Sequence, residues 1–322
     1  MVNKEIDFNE PLMLAEHPNI LDVLLSDRSS KKNIKWCTDN YSRIGIHQND
    51  YMVKESIIYR KESLIKPRIL KSLTEQKKRI KDMAEVFTPS WICNKQNNSL
   101  DEKWFGYPDA FNQEFENGWT TTDKVIFANG KKWQEYVELE RLEITCGEAP
   151  YLVSRYDTTT GEFLETKNRI GLLDRKLRVI SENTFSEEEW IKWAKIAYQR
   201  VYGFEWQGDS LLIARENLLL TFLDYYENSF HKKPSAELVL EIAEIISWNI
   251  WQMDGLKYVV PDSCHKEEVL QMSLFEDMQE EADFCYGCRS GDNHRHNGIY
   301  CKIMDWKSNR TIRFIDVVDG RK

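Results

Sequence analysis

The sequence predicts an α/β fold with a mainly parallel sheet, and three observations support this prediction. From Lys132 onward, short apolar runs typical of strands alternate with longer segments of helical periodicity, the order that parallel sheets require. Hydrophobic residues make up 41% of the 322 residues, which is enough to bury a core. Eleven Trp, 14 Tyr and 14 Phe argue against a disordered chain.

Residues 1–82 are expected to form a helical, partly basic N-terminal region. Apolar residues recur at roughly helical spacing from Lys61 to Lys81, which predicts a basic amphipathic helix interrupted near its start by Pro67. The stretch from Lys54 to Lys81 carries ten Lys or Arg against three Glu. Such a bias is typical of a solvated face, and contact with DNA phosphate or an acidic partner is the alternative.

Residues 84–132 are rich in Asn, Trp, Gly and Pro, and we expect them to form loops. Periodicity then predicts a helix at 133–139, a strand at 142–145, an apolar run at 170–180, a helix at 187–201, a strand at 202–206, helices at 209–226 and 235–246, and a strand at 248–252. We therefore expect a core domain over residues 83–260, followed by a C-terminal segment over 261–322.

Charge and hydropathy narrow the classes of protein to consider. The net charge of −9 does not suit a protein that wraps DNA over its whole surface, although a local basic face remains compatible with it. No run of about 18 apolar residues predicts a transmembrane helix, and the polar first ten residues do not resemble a secretory signal. A cytoplasmic protein without a membrane partner is expected. The odd number of seven Cys makes a disulfide framework unexpected.

The strand at 142–145 is followed by a Cys-Gly turn that can bring backbone N–H groups close to a ligand. Glu143, near the carboxyl end of this strand, can meet a cationic group. A glycine turn after a strand is common in proteins without any ligand, so this motif alone is weak.

Three further acidic residues lie at or near the ends of apolar runs. A carboxylate at the end of the strand 202–206, Glu205, can accept the hydroxyls of a ribose, and Trp206 can cover an adenine ring. Asp174 competes for the ribose, because it ends an apolar run nearer the usual distance of about 20 residues. Asp254 can accept the exocyclic amine of adenine, although an Asp-Gly pair is also a common turn.

These three motifs follow the segment 84–89, Ala-Glu-Val-Phe-Thr-Pro, and the four in this order resemble the gamma-type N6-adenine DNA methyltransferases of restriction–modification systems. The resemblance covers about residues 80–257. It implies a Rossmann-like fold that depends on S-adenosylmethionine as cofactor, in incomplete form and with the helical N-terminal region before it.

The resemblance also assigns roles to individual residues. Phe87, Thr88 and Pro89 would border the methionine end of the cofactor, and the turn of Glu143, Cys146 and Gly147 would enclose that end. Glu205 would bind the ribose. Trp206 would pack on the adenine ring, and Asp254 would accept the amine of that ring. Glu205 is preferred over Asp174 because the helix after it matches the family. Ala149 stands where the family has Gly, which narrows the loop.

The catalytic signature of that family, Asn-Pro-Pro-Tyr or a close variant, holds a target adenine that has been flipped out of the duplex. The 322 residues contain no Asn-Pro or Asp-Pro pair, so no catalytic residue is assigned. The run 314–320 resembles the strand that leads into the signature, after which the sequence ends.

The expected function is therefore that of an S-adenosylmethionine-binding DNA adenine-N6 methyltransferase subunit of a restriction–modification or related defence system. A second subunit would supply target recognition and the catalytic loop, and DNA would be bound in the complex. The alternative is a catalytically inactive module that binds the cofactor, or that mediates interactions after losing the pocket.

The C-terminal segment contains a cluster of residues that bind metals. Cys285-Tyr-Gly-Cys288 is followed by His294, His296 and Cys301, and three Cys with one His can complete a tetrahedral zinc site. A structural zinc is favoured, since a loop rich in Gly, Asn and Arg has little apolar surface to pack. The alternative is a loop of reduced thiols.

Overall fold

The computed structural model describes residues 6–59, 62–83, 85–128, 130–272, 277–282 and 284–321. Within these ranges the α-helices are α1 (Glu10–Glu16), α2 (Ile20–Leu25), α3 (Lys54–Ile57), α4 (Leu73–Met83), α5 (Ser90–Phe105), α6 (Trp133–Val137), α7 (Leu172–Asn183), α8 (Glu187–Gln199), α9 (Gly208–Phe230), α10 (Ala236–Asn249), α11 (Tyr286–Ser290) and α12 (Phe314–Val318).

The strands are β1 (Ser26–Asp27), β2 (Lys32–Asn33), β3 (Ile58–Tyr59), β4 (Glu62–Ser63), β5 (Asn112–Phe115), β6 (Gly118–Thr121), β7 (Arg141–Ile144), β8 (Val201–Glu205), β9 (Ile250–Gln252), β10 (Glu267–Met272), β11 (Asp277–Ala282), β12 (Lys302–Asp305) and β13 (Arg310–Arg313). Three short 3₁₀ helices lie at Ser42–Ile44, Arg68–Leu70 and Thr166–Asn168.

A three-stranded parallel sheet of order β7-β8-β9 lies at the centre of the fold. Glu143 pairs with Gly203 and Gly203 with Ile250, so the carboxyl ends of all three strands meet at one edge. Helices α7 and α8 connect β7 to β8, and α9 and α10 connect β8 to β9. The prediction of α/β architecture is therefore confirmed for this part of the chain, while the other described sheets are two-stranded and antiparallel.

The parallel sheet separates two apolar clusters, because successive side chains of a strand point to opposite faces. Val201 and Ile250 face the larger cluster, which extends from Phe8 in the N-terminal region to helices α7–α10. Phe204 and Trp251 face the smaller cluster, which hairpin β12–β13 and helix α12 complete. Burial of each such large side chain stabilises the fold by roughly 1.5–3 kcal/mol.

Two helices that precede strands of the parallel sheet begin at serine caps. The Ser186 side chain accepts the Glu189 N–H at 3.2 Å at the start of α8, and Ser235 does the same for Leu238 at 3.3 Å at the start of α10. Each cap of this kind contributes about 1 kcal/mol. The caps fix where α8 and α10, the helices that lead into β8 and β9, begin.

Several expected elements are confirmed with small changes of boundary: α6, α8, α9 and α10 and strands β7, β8 and β9. The loops expected over 84–132 are wrong, because α5 and the hairpin β5–β6 occupy much of that range. The pattern of α5 is hidden because polar residues anchor it. Asn97 Nδ2 donates to the carbonyls of Tyr151 and Ile170 at 3.1 and 3.0 Å, and Asn94 pairs with Asn112.

Two other expectations are corrected, and one apolar run is assigned to a helix. The basic helix expected from Lys61 to Lys81 is helical only in α4, after the 3₁₀ turn that follows Pro67, and Lys61 lies outside the described residues. The apolar run 170–180 lies mostly in helix α7. The run 314–320, expected as a strand, contains helix α12, in which Phe314 and Ile315 are buried and the Arg313 side chain pairs with Asp316.

Candidate functional site

A cleft of about 780 Å³ opens at the carboxyl ends of β7 and β8. Its walls come from three segments: residues 81–83 at the end of helix α4 with residues 85–88 beyond it, residues of 143–151 from the end of β7 onward, and residues of 205–210 from the end of β8 onward. Ligands of open α/β sheets bind at this edge, and the volume falls within the roughly 300–1,000 Å³ typical of small-molecule sites.

The turn after β7 has an unusual backbone. Thr145, Gly147 and Ala149 have φ angles of 47°, 53° and 63°, so three of five successive residues are left-handed. For the β-branched Thr145 this conformation is uncommon, and strain of this kind, roughly 1–3 kcal/mol per residue, is often held at functional sites. The conformation of Ala149 is one that glycine adopts without cost.

Glu143 lies in β7, with its side chain buried beside this turn. Its carboxylate accepts the N–H groups of Tyr151 at 3.3 Å and Leu152 at 3.1 Å. Burial raises the pKa of Glu143 to about 8, although both hydrogen bonds act to lower it. A cationic ligand in the cleft would restore the ionised form, because an opposite charge favours the carboxylate.

Glu205 ends β8 and lines the same cleft as Glu143. Its Oε2 accepts the Gly147 N–H at 2.9 Å, and its Oε1 accepts those of Trp206 and Gln207 at 2.9 and 3.2 Å. Burial raises its pKa from the usual value. Three of roughly four acceptor positions are thus filled, which leaves about one for a ligand hydroxyl.

The Phe-Thr-Pro segment closes the cleft from the side of the N-terminal region. The Phe87 ring lies over Gly147, so that a Cβ added at Gly147 would stand 3.8 Å from the ring. The Arg68 guanidinium lies 5.1 Å from the centroid of the same ring. The Thr88 carbonyl accepts the Thr158 hydroxyl at 3.2 Å, and Pro89 is the N-cap of α5. This segment is therefore fixed at both ends, while Ala84 lies outside the described residues.

Seven of the nine residues expected to contact a cofactor line this cleft: Phe87, Thr88, Glu143, Cys146, Gly147, Glu205 and Trp206. Pro89 follows the wall directly. Asp254 does not line the cleft, because its carboxylate accepts the N–H groups of Leu256 and Lys257 in a turn. Asp174 also lies elsewhere, in α7, where it accepts the N–H and hydroxyl of Ser154.

Sequence reasoning missed the charged and polar side chains on the remaining walls. Glu85, Gln207 and Ser210 line the cleft, and each is buried. Gln207 and Ser210 lie at the start of α9, two and five residues after the end of β8, and this spacing could have indicated that they line the cleft. Nothing in the sequence signals Glu85 beyond its place in the segment 84–89.

A second candidate site is a group of three Cys and one His. Cys264, Cys285, Cys288 and His296 place their ligand atoms within 4.8 Å of one another. Nδ1 of His296 lies 3.7, 3.5 and 3.6 Å from the sulfurs of Cys264, Cys285 and Cys288, respectively. Such a group can hold a metal ion.

The backbone around this group is closely packed. Cys285 is the N-cap of helix α11, and the Gly287 N–H donates to the Arg295 carbonyl at 3.0 Å. A Cβ on Gly287 would lie 2.6 Å from the backbone nitrogen of His296, so only glycine permits this approach. The close approach brings His296 to the two cysteines of the Cys-x-x-Cys motif.

Three of the five expected ligands, Cys285, Cys288 and His296, are in this group. Cys301 is not, because it is buried with its thiol directed at the Gln252 carbonyl at 3.3 Å. His294 is also outside it and lies 3.4 Å from the Asp319 carboxylate. Cys264 takes the fourth position, and only its place ahead of the hairpin β10–β11 could have indicated it.

Comparison with known proteins adds no family to this geometry: the chain matches no protein-family model, and neither a curated protein nor a solved structure is significantly similar to it. Within the described ranges, no helix combines the length and the apolar character needed to cross a membrane.

Proposed function

We propose that this chain is the S-adenosylmethionine-binding subunit of a DNA adenine-N6 methyltransferase of the restriction–modification type. The observation that carries the proposal is the cleft, which collects seven residues from three motifs that are up to 119 positions apart, from Phe87 to Trp206. The Rossmann-like methyltransferase fold is part of the proposal. It is supported by the parallel sheet β7-β8-β9, in which the carboxyl ends of β7 and β8 border the cleft.

The charges and rings of the cleft suit the parts of this cofactor. Glu143, a buried carboxyl group, would pair with the cationic methionine end, next to the turn at Gly147. Glu205 would accept a ribose hydroxyl with its remaining acceptor position, and Trp206 would pack on the adenine ring. Asp254 is left out of this assignment, because its carboxylate holds its own turn.

The residues that hold the target adenine would come from a partner subunit, with DNA bound in the complex. No Asn-Pro or Asp-Pro pair exists in the 322 residues. Within the described residues β7 pairs with β8 alone, and Leu142 and Ile144 on this strand are 47% and 65% exposed. An unpaired edge with exposed apolar residues is suited to adding a strand from another chain.

A second candidate function is that of a module that binds the cofactor and transfers no methyl group. The absence of the Asn-Pro or Asp-Pro pair favours it, and so does the exposed edge of β7, which can serve any protein partner. In both cases the cleft binds S-adenosylmethionine.

Calorimetric titration with S-adenosylmethionine tests the shared part of the proposal. The wild-type chain should bind in the micromolar range or tighter, and Glu205→Ala should abolish binding without unfolding the chain. Asp254→Ala is the matched control, since it removes a carboxylate outside the cleft and should leave the affinity within about twofold, or 0.4 kcal/mol. Equal binding by Glu205→Ala and wild type would overturn the ribose assignment.

For the Cys3His group we propose a structural zinc ion. Zinc bound at about 2.3 Å to sulfur and 2.0–2.1 Å to nitrogen in a tetrahedron separates a sulfur from a nitrogen ligand by roughly 3.5 Å. The three distances from His296 Nδ1, 3.5 to 3.7 Å, match this edge. All four ligands come from the protein, which is typical of a structural site.

Metal analysis of the purified chain should find about one zinc per chain. The ion would tie the segment at Cys264 to the turn at Cys285 and to His296. A folded preparation without zinc that also fails to take up added zinc would remove this proposal.

A further inference from the structure

Helix α4 is attached to the molecule in an unusual way. Of its eleven residues only Arg79 is buried, whereas Leu73 and Ile80 are 74% and 41% exposed. An amphipathic surface helix normally buries an apolar stripe. The polar contacts of Arg79 therefore replace the apolar packing that usually holds such a helix.

Arg79 makes these contacts at the start of α9 and on the cleft wall. Its Nη1 and Nη2 donate to the two carboxylate oxygens of Asp209 at 2.7 and 3.2 Å, and its Nε donates to Glu85. Nη2 also reaches Gln207 Oε1 at 3.1 Å and Ser210 Oγ at 3.3 Å. Arg79 and Asp209 are both fully buried.

These partners connect the two sides of the cleft. The last three residues of α4, 81–83, and residues 85–88 together form what we call the cleft wall. Glu85 belongs to this wall. Gln207 lies on the opposite side, where its N–H donates to Glu205. One guanidinium thus joins the segment that carries Phe87 to the segment proposed to bind the ribose.

We infer that Arg79 is a positioning residue for the cleft: its bonds to Asp209 and Glu85 hold helix α4 and the cleft wall in the arrangement that binds the ligand. The inference rests on the proposed function for the identity of that ligand. Lys cannot replace Arg79, because an ammonium group lacks the planar set of five donors that reaches Asp209, Glu85 and Gln207 together.

The chain offers a matched control, an arginine that also pairs with an aspartate of α9. Arg169 is as buried as Arg79 and pairs at 2.6 Å with Asp224, which lies on α9. Asp224 is 15 residues beyond Asp209, about 22 Å along the helix axis, so this ion pair is remote from the cleft. Arg169→Lys should thus cost stability without altering the cleft.

The test compares Arg79→Lys, Arg169→Lys and wild type by thermal unfolding, titration with S-adenosylmethionine and hydrogen exchange. Both variants should unfold at lower temperature. Only Arg79→Lys should raise the Kd, by at least tenfold, and speed amide exchange in the cleft wall. Asp209→Asn should act in the same direction as Arg79→Lys.

An unchanged Kd in a folded Arg79→Lys protein would overturn the inference. It would also be overturned if the Kd rose as much in Arg169→Lys as in Arg79→Lys, because the rise would then reflect a general loss of stability. Absence of binding by the wild-type chain would instead overturn the proposed function. Exchange in the cleft wall would then decide alone whether Arg79 holds it: equal exchange in wild type and Arg79→Lys would refute its positioning role.

Discussion

At the scale of single residues, the cleft is defined by two carboxyl groups that the fold keeps from water. Glu143 and Glu205 both have raised pKa values, and burial is the largest cause in each case. Both accept hydrogen bonds from backbone N–H groups, which hold the carboxyl groups in place but do not offset burial. A site of this kind discriminates between charged and neutral ligands, because only a cation favours ionisation.

The pKa of about 8 for Glu143 predicts a pH-dependent affinity for S-adenosylmethionine. Below pH 8 the carboxyl group is mostly protonated, so binding of the cation must displace a proton. The affinity should rise by about tenfold between pH 6.5 and 8 and level off above pH 8. Titrations across this range would measure it.

Glu143→Gln is the control for this prediction, since the amide keeps the shape of the side chain and has no proton to lose. Its affinity should lose the part of the pH dependence that Glu143 supplies and keep the parts that come from Glu205 and from the amine of the cofactor. If the wild type and Glu143→Gln show the same pH profile, Glu143 does not contact the cation.

Glu216 on α9 is a buried carboxyl group that does not line the cleft. It is 3% exposed, its Oε1 has no hydrogen-bond partner among the described residues, and burial together with Glu10 raises its pKa well above the usual value. The folded chain therefore binds more protons here than the unfolded chain, and its stability falls as the pH rises above the ordinary pKa of Glu.

Glu216→Met should therefore stabilise the protein by about 1–3 kcal/mol, because it removes a buried polar atom without a partner. The gain should be larger at pH 9 than at pH 6. Denaturant unfolding at both pH values would measure the change in the free energy of unfolding. Glu188 is exposed, so Glu188→Met is the control and should stay within about 0.5 kcal/mol of wild type. A destabilised Glu216→Met protein would contradict the prediction.

At the scale of elements, the Cys3His group connects Cys264, which precedes hairpin β10–β11, to helix α11 and the turn at His296. Mutation can distinguish the ligands in the structure from those expected from the sequence. Cys264 lies in the group, whereas the expected ligand Cys301 is buried against Gln252. Cys264→Ser and His296→Ala should lose zinc, while Cys301→Ser and His294→Ala should keep about one ion per chain. Zinc content after gel filtration would measure this. Loss of zinc from Cys301→Ser with retention by Cys264→Ser would reverse the assignment.

The elements that sequence patterns predicted are those whose burial is periodic. Helices α8 and α10 bury apolar residues at helical spacing, and β8 and β9 are short apolar runs, so their patterns reflect their packing. Helix α5 was missed because its buried residues include Asn94, Asn97 and Asp101, which are satisfied by partners distant in sequence. No local pattern contains such partners.

The same distinction holds for the two sites. Cys285, Cys288 and His296 lie within 12 residues of one another, and local spacing is sufficient to suggest them. Cys264 joins them across a hairpin, and Arg79 reaches Asp209 across 130 positions. These two contacts depend on tertiary structure and could not be read from spacing.

At the scale of the whole molecule, the N-terminal region and the parallel sheet are parts of one structure. The larger apolar cluster includes Phe8, Trp36 and Ile57 together with residues of α9 and α10. Arg79 and Lys71 from the same region approach Asp209, at the start of α9. The cleft wall is thus supported by residues that precede it, so a fragment beginning near residue 83 should bind the cofactor poorly.

The last prediction concerns what the chain does without a partner. The cleft has groups for a cofactor, but the 322 residues lack the Asn-Pro or Asp-Pro pair that would accept the amine of a flipped adenine. The chain alone should therefore bind S-adenosylmethionine and transfer no labelled methyl group to unmethylated DNA, whereas an intact adenine methyltransferase in the same assay should label it. Methyl transfer by the chain alone, abolished in Glu205→Ala, would mean that another loop of this chain holds the adenine. Binding without transfer would direct attention to the exposed edge of β7, where Leu142→Lys should block a partner that restores transfer while leaving cofactor affinity unchanged, because Leu142 does not line the cleft.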